Sequence, residues 1–259
     1  MLELSYSFHL GNDKNKTTKA KQVSKDKPTN FNNNAIQNSI QLSKVNNHNL
    51  RMYENNNELI SIIKGTNNIV DDVKKLYLTE FEESRINYNN KQTRNDRKIN
   101  NYFNHISKDT KHDLACEIII ELGNMEYWEN KNLEFKYKMK TVYEKQIINL
   151  EKIIPNFKIA NATIHFDESS PHLHIVGIAI KENCKTGMNK QVGKTSVFTI
   201  ESLKTIQNKL REYCINDFNN IYGLNAVLKD KEQGRNQDYR KEQMKNYNEL
   251  VNNFNKQRK

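Results

Sequence analysis

The chain has 259 residues, enough for one large domain or two small ones, and its 41 Lys and Arg outnumber 31 Asp and Glu for a net charge of +10. That excess suits a polyanionic partner, either nucleic acid or an anionic membrane face. Only 36% of residues are hydrophobic and mean hydropathy is −0.92, with no apolar run of about the 18 residues a spanning helix needs, so no membrane span is expected.

Three cysteines, Cys116, Cys184 and Cys214, lie far apart and form no CxxC pair. They argue against a disulfide framework or thiolate zinc site and for a reducing, cytoplasmic setting. The opening MLELSYSFHL lacks the basic start, apolar stretch and cleavage site of a signal peptide.

In chain order, Leu2, Leu4, Tyr6 and Phe8 alternate with polar neighbours, the period of a half-buried strand. Residues 11–34 are basic and nearly free of apolar side chains, and read as a long loop. Ala35, Ile36, Ile40 and Val45 give a weak helical pattern over 35–47, which leads into His48-Asn49-Leu50-Arg51. The apolar run from Leu59 to Ile63, closed by Gly65, reads as a strand.

From Asn68 to about Ile106 the spacing of Ile69, Val73, Leu76, Tyr77 and Phe81 is helical. The polar, basic segment 85–97 admits one long helix or two joined ones, and suits a solvent- or DNA-facing surface carrying Tyr88, Arg94 and Arg97. Leu114 to Leu122 reads as a strand ended by Gly123. Residues 131–154 read as a helix stopped by Pro155. Thr199 is a plausible N-cap for a helix bearing Leu203, Ile206, Leu210, Cys214, Phe218 and Ile221. Beyond Gly223 the chain turns charged, and 236–259 carry only a thin apolar pattern.

The densest chemistry lies in His165-Phe166-Asp167-Glu168-Ser169-Ser170-Pro171-His172-Leu173-His174. It sits between two β-branched apolar runs, 157–164 and 175–180, that read as paired buried strands joined by a turn at Pro171. His172 and His174 are two apart and so share one strand face, and antiparallel pairing would bring His165 beside His172. Three imidazoles would then converge, with Asp167 and Glu168 at the tip. Neutral imidazole is a common metal ligand, so the cluster reads as a metal or catalytic site; spacing alone does not name the metal.

Three groups outside the hairpin add to this. His48 with Arg51 offers an imidazole able to attack phosphorus and a guanidinium able to hold the attacked phosphate. Tyr88 is a second candidate nucleophile, or a platform on which a base stacks. Lys185, Lys190 and Lys194, in the loop after the hairpin, suit contacts to backbone phosphate. Gly187 and Gly193 have five residues between them where a phosphate loop has four, which argues against an NTPase. His9 is a further candidate to face the site, whereas His105 and His112 read as structural.

HFDESSPHLH resembles the third motif of the Mob/Pre plasmid mobilisation and recombination proteins, the MobV relaxases of the HUH endonuclease class, which reads H-x-D-E-x-x-P-H-x-H. His48-Asn49-Leu50-Arg51 is similar to their first motif, H-N-x-R, which carries the catalytic histidine. The segments SYSFHLG, EIIIELGNMEYWE, KQVGKTSVFTIESL and KEQGRNQD also resemble the family, so the likeness covers most of residues 1–240. The family's second motif, N-Y-x-L, has no full counterpart: Asn87-Tyr88-Asn89-Asn90 comes late and lacks the Leu.

The resemblance implies an α/β (α+β) fold, a central antiparallel sheet with flanking helices, over residues 1–225, followed by a charged tail or helical extension over 226–259. It implies that His165, His172 and His174 bind Mn²⁺ or Mg²⁺, Mn²⁺ being favoured because an all-imidazole site is softer than the oxygen cages of Mg²⁺. It implies strand-specific nicking of single-stranded DNA at a plasmid transfer origin with His48 as nucleophile, Arg51 on the phosphate, and Glu168 or Asp167 orienting an imidazole or taking the proton. A homodimer through the C-terminal extension and a coupling protein of a host conjugation system are the further partners expected. Two alternatives fit the same residues: a rolling-circle replication initiator, and a non-catalytic, metal-containing DNA-binding protein.

Overall fold

A computed structural model describes residues 2–11, 35–53 and 59–230. Their strands are β1 (Glu3–Leu4), β2 (Tyr6–Leu10), β3 (Ala35–Ile36), β4 (Ile60–Lys64), β5 (Ala115–Leu122), β6 (Phe157–His165), β7 (His172–Lys181), β8 (Gln191–Val192) and β9 (Val227–Leu228). Their helices are α1 (Ser39–Asn49), α2 (Ile69–Asn90), α3 (Tyr102–Lys108), α4 (Met125–Trp128), α5 (Leu133–Tyr137), α6 (Met139–Ile153), α7 (Lys194–Val197) and α8 (Ile200–Tyr222). The described residues up to Leu228 make one compact unit. The basic loop expected before Ala35 and the pattern after Gly234 lie outside the described residues.

Seven strands form one antiparallel sheet, in the order β2-β5-β7-β6-β4, with β3 added on β5 and β8 on β7. β1 and β9 make a separate parallel pair. Strand alternation gives the sheet two apolar faces, and helices cover both. On one face Ile118, Ile120, Ile164, Leu173 and Ile175 pack against α6 and α8 through Tyr143, Ile147, Leu150, Leu210 and Phe218. On the other, Ala115, Val176, Ile178 and Ile180 pack against Leu42 and Val45 of α1, Val73, Tyr77 and Phe81 of α2, and Phe103 and Ile106 of α3. β7 is buried along nearly its whole length, which explains its unbroken apolar run.

Several expected elements divide where tertiary contacts outweigh pattern. The weak helix over 35–47 opens as β3, because Ile36 pairs with Ala115, and becomes helical at Ser39 after Asn38 caps the Gln41 amide. The segment 68–106 becomes two helices. Arg85 and Asn89 of α2 both donate to the Ile99 carbonyl, and the Ile99 amide donates back to Asn89, which folds the 91–99 connection against the helix. The helix over 131–154 is split at Lys138, sending Phe135 to the Tyr222 ring and Tyr137 to the Phe166 ring. Thr199 caps α8, its hydroxyl accepting from the Ser202 amide.

Candidate active site

The register of the two central strands builds the site. β6 and β7 pair His165 directly with His172 and Thr163 with His174, so all three imidazoles leave the same sheet face. Their ring centroids lie 5.1 Å (165–172), 4.9 Å (172–174) and 4.4 Å (165–174) apart. This is the face that carries Val176, Ile178 and Ile180 further along β7. At the histidine end the apolar helices give way to the C-terminus of α1, which brings in His48. That ring stands 5.6 Å from His165 and 5.5 Å from His174.

Each of the three strand histidines is oriented by an acceptor on one ring nitrogen, which leaves the other nitrogen as a lone pair. Nε2 of His165 donates to the Asn49 carbonyl at 2.9 Å, and Nδ1 of His172 donates to the Ser170 carbonyl at 2.9 Å. Nδ1 of His174 is 2.9 Å from the Glu117 carboxylate. Nδ1 of His165 and Nε2 of His174 are buried and unpartnered among the described residues. Two orphaned, buried lone pairs at one spot are costly unless an electrophile takes them, and they fit a cation. Ligand atoms of His48, His165 and His174 lie within 4.8 Å of one another, as do those of His165, Glu168 and His172. Burial holds the His174 and His172 imidazoles below their ordinary pKa, and neighbouring imidazoles add to the effect, so both rest neutral and able to ligate.

The turn between β6 and β7 is tied down on three sides. Ser170 donates to Glu121, and the buried Tyr143 hydroxyl donates to the Pro171 carbonyl at 2.7 Å. Arg51 makes the third tie. Its Nε donates to Asp167 at 2.6 Å, and one terminal nitrogen reaches Asp167 at 3.0 Å and Glu168 at 2.6 Å. Burial opposes the charge on Asp167, yet the forked guanidinium overrides it and holds that carboxyl below its usual range.

Arg51 reaches this position through an uncommon backbone. Helix α1 ends with the Arg51 amide donating to the His48 carbonyl and the Met52 amide to the Asn47 carbonyl, the double bond pattern of a Schellman cap. Glycine usually fills the left-handed residue of such a cap; here it is Arg51, at φ 51°. An arginine in that region costs roughly 1 kcal/mol or more, which its ion pairs offset. The cap turns the chain so that the guanidinium, also bonded to the His48 carbonyl at 3.2 Å, crosses back to the hairpin. His48 itself stays open to solvent at the rim, while burial of its inner edge, with His165 and Arg51 close by, lowers its pKa and keeps it neutral.

The remaining candidate residues sit elsewhere. Tyr88 is half-buried on α2, packed on the helices of the second face, and Arg94 and Arg97 are exposed in the connection beyond it, Arg94 pairing with Asp96. Lys185 is exposed, whereas Lys190 pairs with Glu80 and Lys194 with Asp113. His9 is exposed on β2, His105 stacks on Tyr102, and His112 pairs with Asp109. Sequence reasoning missed Glu117, Glu121 and Asn49. A signal for the acids existed: Glu117 and Glu121 are four apart in an otherwise apolar strand, which puts both on one sheet face.

Comparison with known proteins adds a family and a fold. The family model described as plasmid recombination enzyme, Mob_Pre, matches residues 31–248. Among solved structures, the Mn-bound MobM relaxase domain (MOBV; Mob_Pre) on plasmid pMV158 oriT DNA aligns with TM-score 0.54 at 16% identity, covering 94% of this chain and 99% of that one. A second structure of the same complex, at pH 4.6, aligns with TM-score 0.55 at 15% identity, covering 93% and 99%. At that identity the likeness speaks for the fold: a mixed α/β architecture around an antiparallel sheet. No curated protein matches the chain.

Proposed function

The chain belongs to the plasmid recombination enzyme family, Mob_Pre, and on that premise we propose that it nicks and rejoins one strand of plasmid DNA at a transfer origin. The observation that carries this reading is the clustering of the His165, His172 and His174 rings, whose ligand atoms fall into two overlapping sets, one completed by His48 and one by Glu168. The MobM relaxase domain, whose fold this chain shares, holds Mn and oriT DNA.

His165, His172 and His174 would hold one divalent cation, Mn²⁺ in preference to Mg²⁺. Bound there, it would offset charge on the non-bridging oxygens of the scissile phosphate. The neutral His48 imidazole attacks phosphorus: a P–N bond forms, the P–O3′ bond breaks, and the 5′-phosphate stays on the protein. The ring's N–H proton leaves to Glu168 or Asp167 and is passed on to the departing 3′ oxygen, which is released as a hydroxyl. Arg51 sets both carboxylates and brings its charge towards the attacked phosphate. Rejoining reverses these steps and needs no ATP. Lys185, Arg94 and Arg97 would grip phosphates along the single strand, with Tyr88 as a stacking surface, while Lys190 and Lys194 brace the neighbouring wall.

The test is to incubate the protein with supercoiled DNA of its plasmid and Mn²⁺, then map nicks and adducts. The expected product is one nick at one site, with protein on the 5′ end through a bond stable to alkali and cleaved by acid. An adduct that survives acid as well as alkali would point instead to a tyrosyl ester, with Tyr88 the candidate nucleophile. Binding without any nick would leave a DNA-binding protein that is not an enzyme.

A further inference from the structure

We infer that Asn49 is a positioning residue that locks the helix carrying His48 to two of the three histidines of the sheet. Its backbone carbonyl accepts from Nε2 of His165 at 2.9 Å. Its side-chain amide donates to Glu117 at 2.9 Å, and the same carboxylate oxygen, Oε1, takes Nδ1 of His174 at 2.9 Å. One residue therefore reads out the placement of both rings, and it is the immediate neighbour of His48 in the chain.

The surroundings make this lock specific. Asn49 is 1% exposed and Glu117 3%, so solvent does not replace either partner. Burial raises the Glu117 pKa, and the Asn49 amide is the first of the contacts that oppose that cost. The Asn49 side-chain oxygen is itself buried with no partner among the described residues. Turning the amide over would set that oxygen against the Glu117 carboxylate, so the pairing with Glu117 fixes the orientation even though an acceptor goes unmatched. Glu117 also gives His174 a carboxylate partner where His165 and His172 have neutral carbonyls, so His174 is the ring whose orientation depends on a charged group.

This rests on the metal reading above, and the experiment separates the two. Mn²⁺ alone is titrated by calorimetry into the metal-free protein, with its EPR spectrum recorded and the metal-free melting temperature as a check on folding. His172→Ala judges the metal reading: it should abolish tight binding. Asn49→Ala judges the inference: it should weaken Mn²⁺ binding about tenfold and alter the spectrum, since loss of an orienting partner costs roughly 10- to 100-fold. Glu117→Gln keeps an oxygen for both donors and removes the charge, so its loss should be smaller and in the same direction. Should Asn49→Ala fail to fold, Glu117→Gln decides. Folded variants that bind Mn²⁺ within twofold of the parent, while His172→Ala does not bind, would overturn the role of Asn49 and leave the metal site standing. Equal binding by His172→Ala would overturn both.

Discussion

At the scale of single residues, the site works by giving each imidazole one committed nitrogen and one free one. The commitments come from different places: a helix-end carbonyl for His165, the turn carbonyl of Ser170 for His172, and a buried carboxylate for His174. His48 is exposed where the others are buried, which suits a group that must meet a polymer substrate. His48→Ala should therefore reduce adduct formation by several orders of magnitude, as loss of a nucleophile does elsewhere. Affinity for a cognate single strand should change little, because phosphate contacts dominate it. Gel assays of adduct and of binding check both; full adduct yield from His48→Ala would move the nucleophile elsewhere.

Among the elements, β7 carries most of the construction. Its first turn of side chains supplies His172 and His174, and the rest of it is buried between two helical layers. The bulge in β6 between Ile159 and Asn161 resets the register so that the strand ends with His165 opposite His172. Gly177 sits beside that bulge because a Cβ there would collide with the Lys158 carbonyl and come within 2.7 Å of the Phe157 ring. Gly177→Ala should destabilise the protein by about 1–3 kcal/mol, the usual cost of overpacking a core. It should also weaken Mn²⁺ binding by disturbing the register. Urea unfolding with unchanged slope, together with metal titration, tests this. A variant with parental midpoint would show that the strands part without loss.

For the molecule as a whole, the net charge of +10 is not spread evenly in its uses. Lys64, Lys145, Lys190 and Lys194 are paired with Glu151, Asp217, Glu80 and Asp113, whereas Lys185, Arg97 and Arg94, the last in an exposed pair with Asp96, are among the exposed basic groups. If those three contact phosphate, their joint replacement by Ala should lower the salt dependence of single-strand binding by about 2 in log–log slope, roughly 0.7 for each contact. The slope is measured by titrating affinity against NaCl. An unchanged slope would assign the phosphate contacts to other cations. No helix among the described residues is long and apolar enough to cross a membrane, in keeping with the apolar runs of the sequence.

Sequence alone determined the parts governed by local pattern. The unbroken β-branched runs around the histidines, the Thr199 cap and the Pro171 turn each reflect forces acting over a few residues, whereas the strand expected over Leu2–Leu10 is divided at Ser5 between two sheets, β1 pairing with β9 and β2 with β5. The two motifs, His48-Asn49-Leu50-Arg51 and His165 to His174, were legible for the same reason, and the family followed from them. Tertiary structure decided what joins the motifs. Residues 117 positions apart, Arg51 and Glu168, meet because Arg51 occupies a left-handed cap, which no spacing rule predicts for an arginine. Glu117 became part of the site only when the sheet register put it beside His174 and the end of helix α1 put Asn49 over both. Hydrogen-bond partners across such distances depend on packing of whole layers, and that information is not carried by any one stretch of the chain.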